Sequence, residues 1–219
     1  MKHILIILSI LALSAFWACN NPESKQKEET PKAVPKKQVS YKQEIQNERK
    51  RLDSLFADTL QSPLKLEDLK DFDSLNYFPP NENYKVKAKF VRTPNSQAFG
   101  MPTNTERRPV YEKYGEAHFQ LKGENLVLNI YQNHELREKP EYKDYLFLPF
   151  ADATNGHETY SGGRYMDMSI PEGDSVIIDF NKAYNPYCAY NEKYSCPLIP
   201  KENTLDIRIE AGVKKYKYH

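Results

Sequence analysis

Six polar side chains fall within thirteen residues of this chain: Asp152, Thr154, His157, Glu158, Tyr160 and Arg164. Asp152 and Glu158 are carboxylates that can act as acid and base or as ligands for a hard cation. Arg164 offers a planar fork of donors suited to a carboxylate or phosphate. The double glycine Gly162-Gly163 lets a backbone approach a ligand closely. Further along, Asp179, Asn181 and Asn185 can support such a site. The same residues also have a purely structural use. Asp152 and Thr154 can close Asx and Ser/Thr turns, and Arg164 can knit two loops by pairing with Asp179 or Glu158.

Sharper catalytic patterns are missing from the sequence. His157-Glu158 has Ser161 where a zinc-protease helix needs its second His, and His134-Glu135 has Glu138 there. In Asp152-x-Thr154-x-Gly156 the glycine comes one residue early for an EF-hand calcium loop. There is no G-x-S-x-G elbow, phosphate-binding glycine loop or C-x-x-C pair. No metal ligands are therefore assigned, and any cofactor is unknown. Two function classes stand: a binding or interaction module, and an acid–base enzyme of hydrolase or lyase type using the 152–164 residues. An enzyme requires those side chains to converge in a pocket, whereas a module has them pair with each other. A metal site built on His118 or His157 is a third reading.

These residues sit in a loop, so strands must hold it. Lys85-Val86-Lys87-Ala88-Lys89-Phe90 alternates strictly, with Val86, Ala88 and Phe90 facing a core. Leu205 to Glu210 alternates in the same way. Glu116–Leu121 and Leu126–Tyr131 flank Lys122-Gly123-Glu124-Asn125, a hairpin signal. Tyr145–Phe150 and Val176–Phe180 are continuously apolar, as central strands are. Asn155-Gly156 and Pro171-Glu172-Gly173 mark turns. Ahead of the strands, Ser40 and Gln43 form a capping box. Tyr41, Ile45, Leu52, Phe56 and Leu60 then recur at helical spacing until Ser62-Pro63, and Leu66–Phe72 suggests another short turn of helix. The expected fold is mostly β, an antiparallel sandwich or barrel, with an N-terminal amphipathic helix over 40–61 and a β-rich body over 84–215. Residues 40–219 make one folded domain. All sixteen tyrosines lie in it, as half-buried sheet residues or, less simply, as stacking surfaces for a glycan.

The N-terminus supplies an address. Lys2 precedes an apolar run from Ile4 to Ala18 that is short for a membrane span, and Phe16-Trp17-Ala18-Cys19 reads as a lipobox. Residues 1–18 are thus expected to be a lipoprotein signal peptide, Cys19 the lipidated residue, and 19–39 a tether reaching roughly 25 Å. The tether holds three Pro, five Lys, three Glu and no aromatic residue, too little apolar surface to order itself. No Asp follows Cys19, which points to the periplasmic side of the outer membrane. The chain carries 31 Lys+Arg against 30 Asp+Glu, so its charge does not point to nucleic acid, which needs a basic stripe. The expected partners are the membrane through the lipid anchor, and a small anionic ligand or a periplasmic protein.

Two stretches are similar to a known family. Pro149-Phe150-Ala151-Asp152-Ala153-Thr154-Asn155-Gly156-His157-Glu158-Thr159-Tyr160-Ser161-Gly162-Gly163-Arg164-Tyr165 is the first. The second is Asp179-Phe180-Asn181-Lys182-Ala183-Tyr184-Asn185-Pro186-Tyr187-Cys188-Ala189-Tyr190, continuing to Cys196-Pro197 and Asn203. Together they resemble the bacterial domain of unknown function 1684, over Tyr84 to Lys215. The resemblance implies a shared site and no established activity. Cys188 and Cys196 are the cysteines left once Cys19 is lipidated, and an even pair in an exported protein reads as a disulfide. Closing so short a loop would contribute about 2–3 kcal/mol. A metal or nucleophile role for the pair lacks a nearby His or base in sequence.

Overall fold

The computed structural model describes residues 39–217. The expected signal peptide, Cys19 and all of the tether but Val39 lie outside the described residues. Helix α1 runs from Tyr41 to Ala57, and the Ser40 side chain accepts the Gln43 backbone N–H. The reciprocal half of the capping box is not made, because the Gln43 side chain donates to Asn47 instead. Ile45 and Phe56 are buried as the helical spacing requires. Leu60, expected on the same face, is 92 % exposed. The helix has already ended there, since the Asp58 carboxylate draws the Leu60 N–H into a turn. Helix α2 spans Leu66–Leu69. No helix among the described residues is long and apolar enough to cross a membrane.

The body is an antiparallel sheet that curls into a half-barrel. Its strands are β1 (Lys85–Arg92), β2 (Phe99–Gly100), β3 (Val110–Leu121), β4 (Glu124–Asn133), β5 (Tyr145–Asp152), β6 (Arg164–Ser169), β7 (Ser175–Asp179) and β8 (Thr204–Leu205). The main path runs β6-β5-β4-β3-β1-β7, with β2 on β3 and β8 parallel to β5. In the β3–β4 hairpin Leu121 pairs with Glu124, which leaves Lys122 and Gly123 as the turn. Both have positive φ, 53° and 84°, the geometry whose twist matches that of the flanking strands.

Two expectations about strands fail. The alternating segment Leu205–Glu210 gives a ladder only at Thr204–Leu205, because its polar groups are claimed by side chains of the 152–164 region, as described below. The apolar strand β7 lies at the sheet edge, not its centre. Helix α1 reaches only its end: Tyr41 donates to Asp179 at 2.9 Å, and Glu44 pairs with Lys182 at 2.8 Å, while Ile177 is 52 % exposed.

Side chains alternate across each strand, so the sheet has two packed faces. One carries the main core, including Phe90, Phe119, Leu128, Leu146, Leu148, Phe150, Ile178 and Phe180. The opposite face of β5 and β6 brings Phe147 and Tyr165 against Met101, Tyr111, Tyr131 and Cys196. A third cluster docks α1 through Phe56 onto Leu64, Leu75, Ala189, Tyr190 and Val213. The helix and the irregular 184–199 segment therefore share one side of the molecule.

Candidate functional site

The 152–164 loop is held by its own polar residues. Arg164 is the largest fully buried side chain. Its Nη2 donates to Asp152 Oδ2 at 2.5 Å and to the Ile209 carbonyl at 2.9 Å, and its Nη1 donates to the Ala211 carbonyl. The other Asp152 oxygen accepts the backbone N–H groups of Thr154 and Ile209, at 2.8 and 3.0 Å. Burial pulls the Arg164 pKa down and the Asp152 charge beside it opposes that shift. The partner of Arg164 is thus Asp152, neither Asp179 nor Glu158. The pair fixes the 209–211 backbone where strand pairing would otherwise have held it.

The remaining loop residues follow the same pattern. Thr154 and Thr159 share a buried hydroxyl bond of 2.8 Å, and Asn155 ties Asp152 to Tyr160. Glu158 pairs with Arg208 at 2.5 Å, which lowers its pKa. His157 is exposed. Gly163 has φ +85°, and a Cβ there would sit 2.4 Å from Ile199. A Cβ at Gly162 would meet the Tyr160 ring. The glycines thus serve packing within the loop. Asn181 bonds both the N–H and the carbonyl of Asn81, and Asn185 bonds the Lys214 carbonyl. Among the described residues no three of His, Cys, Asp and Glu are grouped to hold a metal, and His118 bonds Glu116 on its own strand.

The structure does not show the expected disulfide. Cys188 and Cys196 are free thiols. They are in hydrogen-bonding contact: the Cys188 N–H donates to Cys196 Sγ at 3.2 Å. The Cys188 thiol also donates to that sulfur, which holds the Cys196 pKa below the ordinary thiol range and pushes Cys188 up. Sequence spacing shows that the two can meet, but not which bond they form. Tyr160, 3.9 Å from the Cys188 sulfur, has its phenol pushed up to about 12, chiefly by burial.

Two buried atoms of the loop, Glu158 Oε2 and Arg164 Nε, have no hydrogen-bond partner, and others lie elsewhere in the molecule. A cleft of about 940 Å³ opens between α1 and the tyrosine-bearing face of the sheet, a size usual for small-molecule sites. One wall is Arg49, Leu52, Leu55 and Phe56 of α1. The other is Tyr145, Phe147, Tyr165, Asp167, Asp179 and Tyr184, with Tyr187 and Cys196 alongside. Of the residues singled out in the sequence, Asp179, Asn181 and Cys196 reach this cleft, and Asp152, Thr154, His157, Glu158, Tyr160 and Arg164 do not line it.

Its electrostatics are defined at two points. At one, Tyr145 and Tyr184 both donate to Asp167 Oδ1, at 2.8 and 2.6 Å. Burial and the Asp167 charge push both phenols up, so they stay protonated and orient the carboxylate. At the other, the Arg49 guanidinium lies over the Tyr77 ring at 4.6 Å. Its Nε and Nη2 have no hydrogen-bond partner, nor does Asp179 Oδ2. Burial lowers the Arg49 pKa, opposed chiefly by Tyr77. Arg49, Tyr145, Asp167 and Tyr184 are dispersed over 136 residues and show no motif. The only hint in sequence was the concentration of tyrosine.

Fold and cleft together define a curled antiparallel β-domain that carries a tyrosine-walled cavity under an N-terminal helix. The chain belongs to the family described as "Protein of unknown function (DUF1684)", whose model matches residues 70–214. Among solved structures it is similar to the solution NMR structure of an uncharacterized protein of Haloarcula marismortui. The two are 34% identical with a TM-score of 0.62, and the match covers 80% of this chain and 95% of that chain. Among curated proteins none matches.

Proposed function

We propose that this chain is a lipid-anchored binding module held at the periplasmic side of the outer membrane, with a small ligand in the cleft between α1 and the sheet. The cleft carries the reading: it is concave, largely aromatic and apolar, and has a few fixed polar groups at defined places, the usual composition of a ligand pocket. The 152–164 residues have a structural role in this reading, since Asp152, Thr154, Glu158 and Arg164 bond one another or the 208–211 segment. The lipobox Phe16-Trp17-Ala18-Cys19 and the Pro- and Lys-containing tether support the anchored placement. Two or more acyl chains hold a protein stably at a bilayer.

Two experiments test this. Metabolic labelling with an alkyne palmitate should mark the wild-type protein and leave Cys19→Ala unlabelled; label on the mutant would remove the anchor. Backbone NMR of the full chain with small phenols such as p-cresol should shift resonances of Tyr145, Tyr165 and Tyr184. Shifts confined to other surfaces would remove the cleft.

A further inference from the structure

One carboxylate of the cleft stands among aromatic rings without a cation. Asp167 lines the cleft and is exposed. Strand register sets its place: Asp167 of β6 is opposite Phe147 of β5, and Tyr165 is opposite Pro149. Tyr145, Phe147, Tyr165 and Asp167 therefore share one face of the sheet. Tyr184 is held alongside β6 by two backbone bonds to Tyr165, at 2.8 and 3.0 Å. Its ring meets the Tyr165 ring edge-on, with centroids 6.0 Å apart. Tyr145 and Tyr184 both donate to Asp167 Oδ1. Among the described residues Asp167 Oδ2 takes no hydrogen bond and Asp167 joins no ion pair.

The basic side chains around it are held by other groups. Arg51 pairs with Glu48 at 3.2 Å and Lys182 with Glu44 at 2.8 Å. Arg49 lies over the Tyr77 ring at 4.6 Å and Lys85 over the Tyr41 ring at 5.0 Å. Lys143, which borders an adjoining hollow with Asp167, is 3.9 Å from Asp144. The two phenols are neutral donors, so they fix the Asp167 carboxylate and leave its charge uncancelled. This point of the cleft thus offers an anionic oxygen, two phenol oxygens whose protons are already donated, and aromatic rings. Each favours a positive group. A hard metal ion needs several oxygen ligands, and among the described residues no three of His, Cys, Asp and Glu are grouped.

We propose, on the footing that the cleft is the binding site, that it takes an organic ammonium ion with Asp167 as the counter-charge. The ammonium hydrogens reach Asp167 Oδ2 and the phenol oxygens of Tyr145 and Tyr184. Leu52 and Leu55 of α1, with Phe147 and Tyr187, line the same cleft and suit an apolar or aromatic body on the cation.

Calorimetry and backbone NMR on the full chain with phenethylamine, 2-phenylethanol and 3-phenylpropionate test this. The three carry the same ring on a short chain and differ in the charge at its end. Phenethylamine should bind about tenfold more tightly than 2-phenylethanol, with 3-phenylpropionate the weakest. Added salt should narrow the gap between amine and alcohol, because it screens the charge. Asp167→Asn keeps the shape of the side chain and removes its charge. It should bring phenethylamine down to the affinity of the alcohol and leave the alcohol unchanged. The charge series and its salt dependence are read on the wild type, so they decide the matter even where the variant does not fold. If the alcohol or 3-phenylpropionate binds as tightly as the amine, if Asp167→Asn keeps the advantage of the amine, or if none of the three binds, the inference is overturned. In those cases p-cresol shifts within the cleft leave the cleft itself standing, and their absence removes both.

Discussion

The 152–164 loop and the α1 cleft use the same kinds of residue in opposite ways. In the loop, polar groups cluster in sequence, and Asp152, Thr154, Glu158 and Arg164 bond other members or the adjoining 208–211 segment, although Glu158 Oε2 and Arg164 Nε lack partners. In the cleft, polar groups come from distant parts of the chain, and Asp167 joins no ion pair among the described residues. A dense run of Asp, Thr, Glu and Arg is thus what a protein needs to stabilise an irregular loop that lacks ladder bonds. Under the proposed binding role, recognition falls to the cleft and not to the loop. Density of chemistry in sequence and availability of chemistry in space are different properties.

The contrast can be broken most directly at Arg164. Arg164→Ala strands the Asp152 carboxylate in the core and releases the Ile209 and Ala211 carbonyls, so it should cost about 3–5 kcal/mol, as removal of one partner of a buried ion pair does. Urea unfolding measures this, and a midpoint equal to wild type would mean the loop is not held as described. Next in size is Gly163→Ala, which forces a Cβ into Ile199 at a positive φ. A loss of about 1–3 kcal/mol is expected in the same assay. Asp167→Asn should do the reverse, changing stability by under about 1 kcal/mol while abolishing the preference for an ammonium in the cleft. Equal loss of stability at Asp167 and Arg164 would erase the distinction between the two regions.

A finer test uses the thiols. The Cys188 hydrogen bond favours the Cys196 thiolate, so Cys188→Ala should raise the Cys196 pKa. The pH midpoint for its alkylation by iodoacetamide should move upward, with modified Cys196 followed by peptide mass. An unmoved midpoint would deny the hydrogen bond. The smallest effect is expected at Glu158→Gln. That side chain pairs with Arg208 in solvent, so thermal unfolding should stay near wild type, because exposed pairs are screened.

Much of the architecture was legible because it depends on local periodicity. The alternation of β1, the Lys122-Gly123 turn and the Ser40 cap all appear where short-range sterics and burial place them. Leu205–Glu210 shows the limit. Its pattern matches a strand, but Arg164 and Asp152 take the Ile209 N–H and the Ile209 and Ala211 carbonyls. Strand β7 shows another: its run of apolar residues matches a central strand, yet it lies at the edge with Ile177 52 % exposed. The cysteines could be paired by spacing, whereas their bonding depends on the local arrangement of donors.

The sequence by itself determined the β-rich class, the helix ahead of it, the turn positions and the family resemblance, because these follow from neighbours within a few residues of each other. The partner of Arg164, the edge position of β7 and the gathering of Arg49, Tyr145, Asp167, Asp179 and Tyr184 around one cleft were decided only by tertiary structure. Each depends on which faces of α1, β5, β6 and the 184–199 segment come together. That choice is made by burial of side chains far apart in the chain, and no local pattern records it.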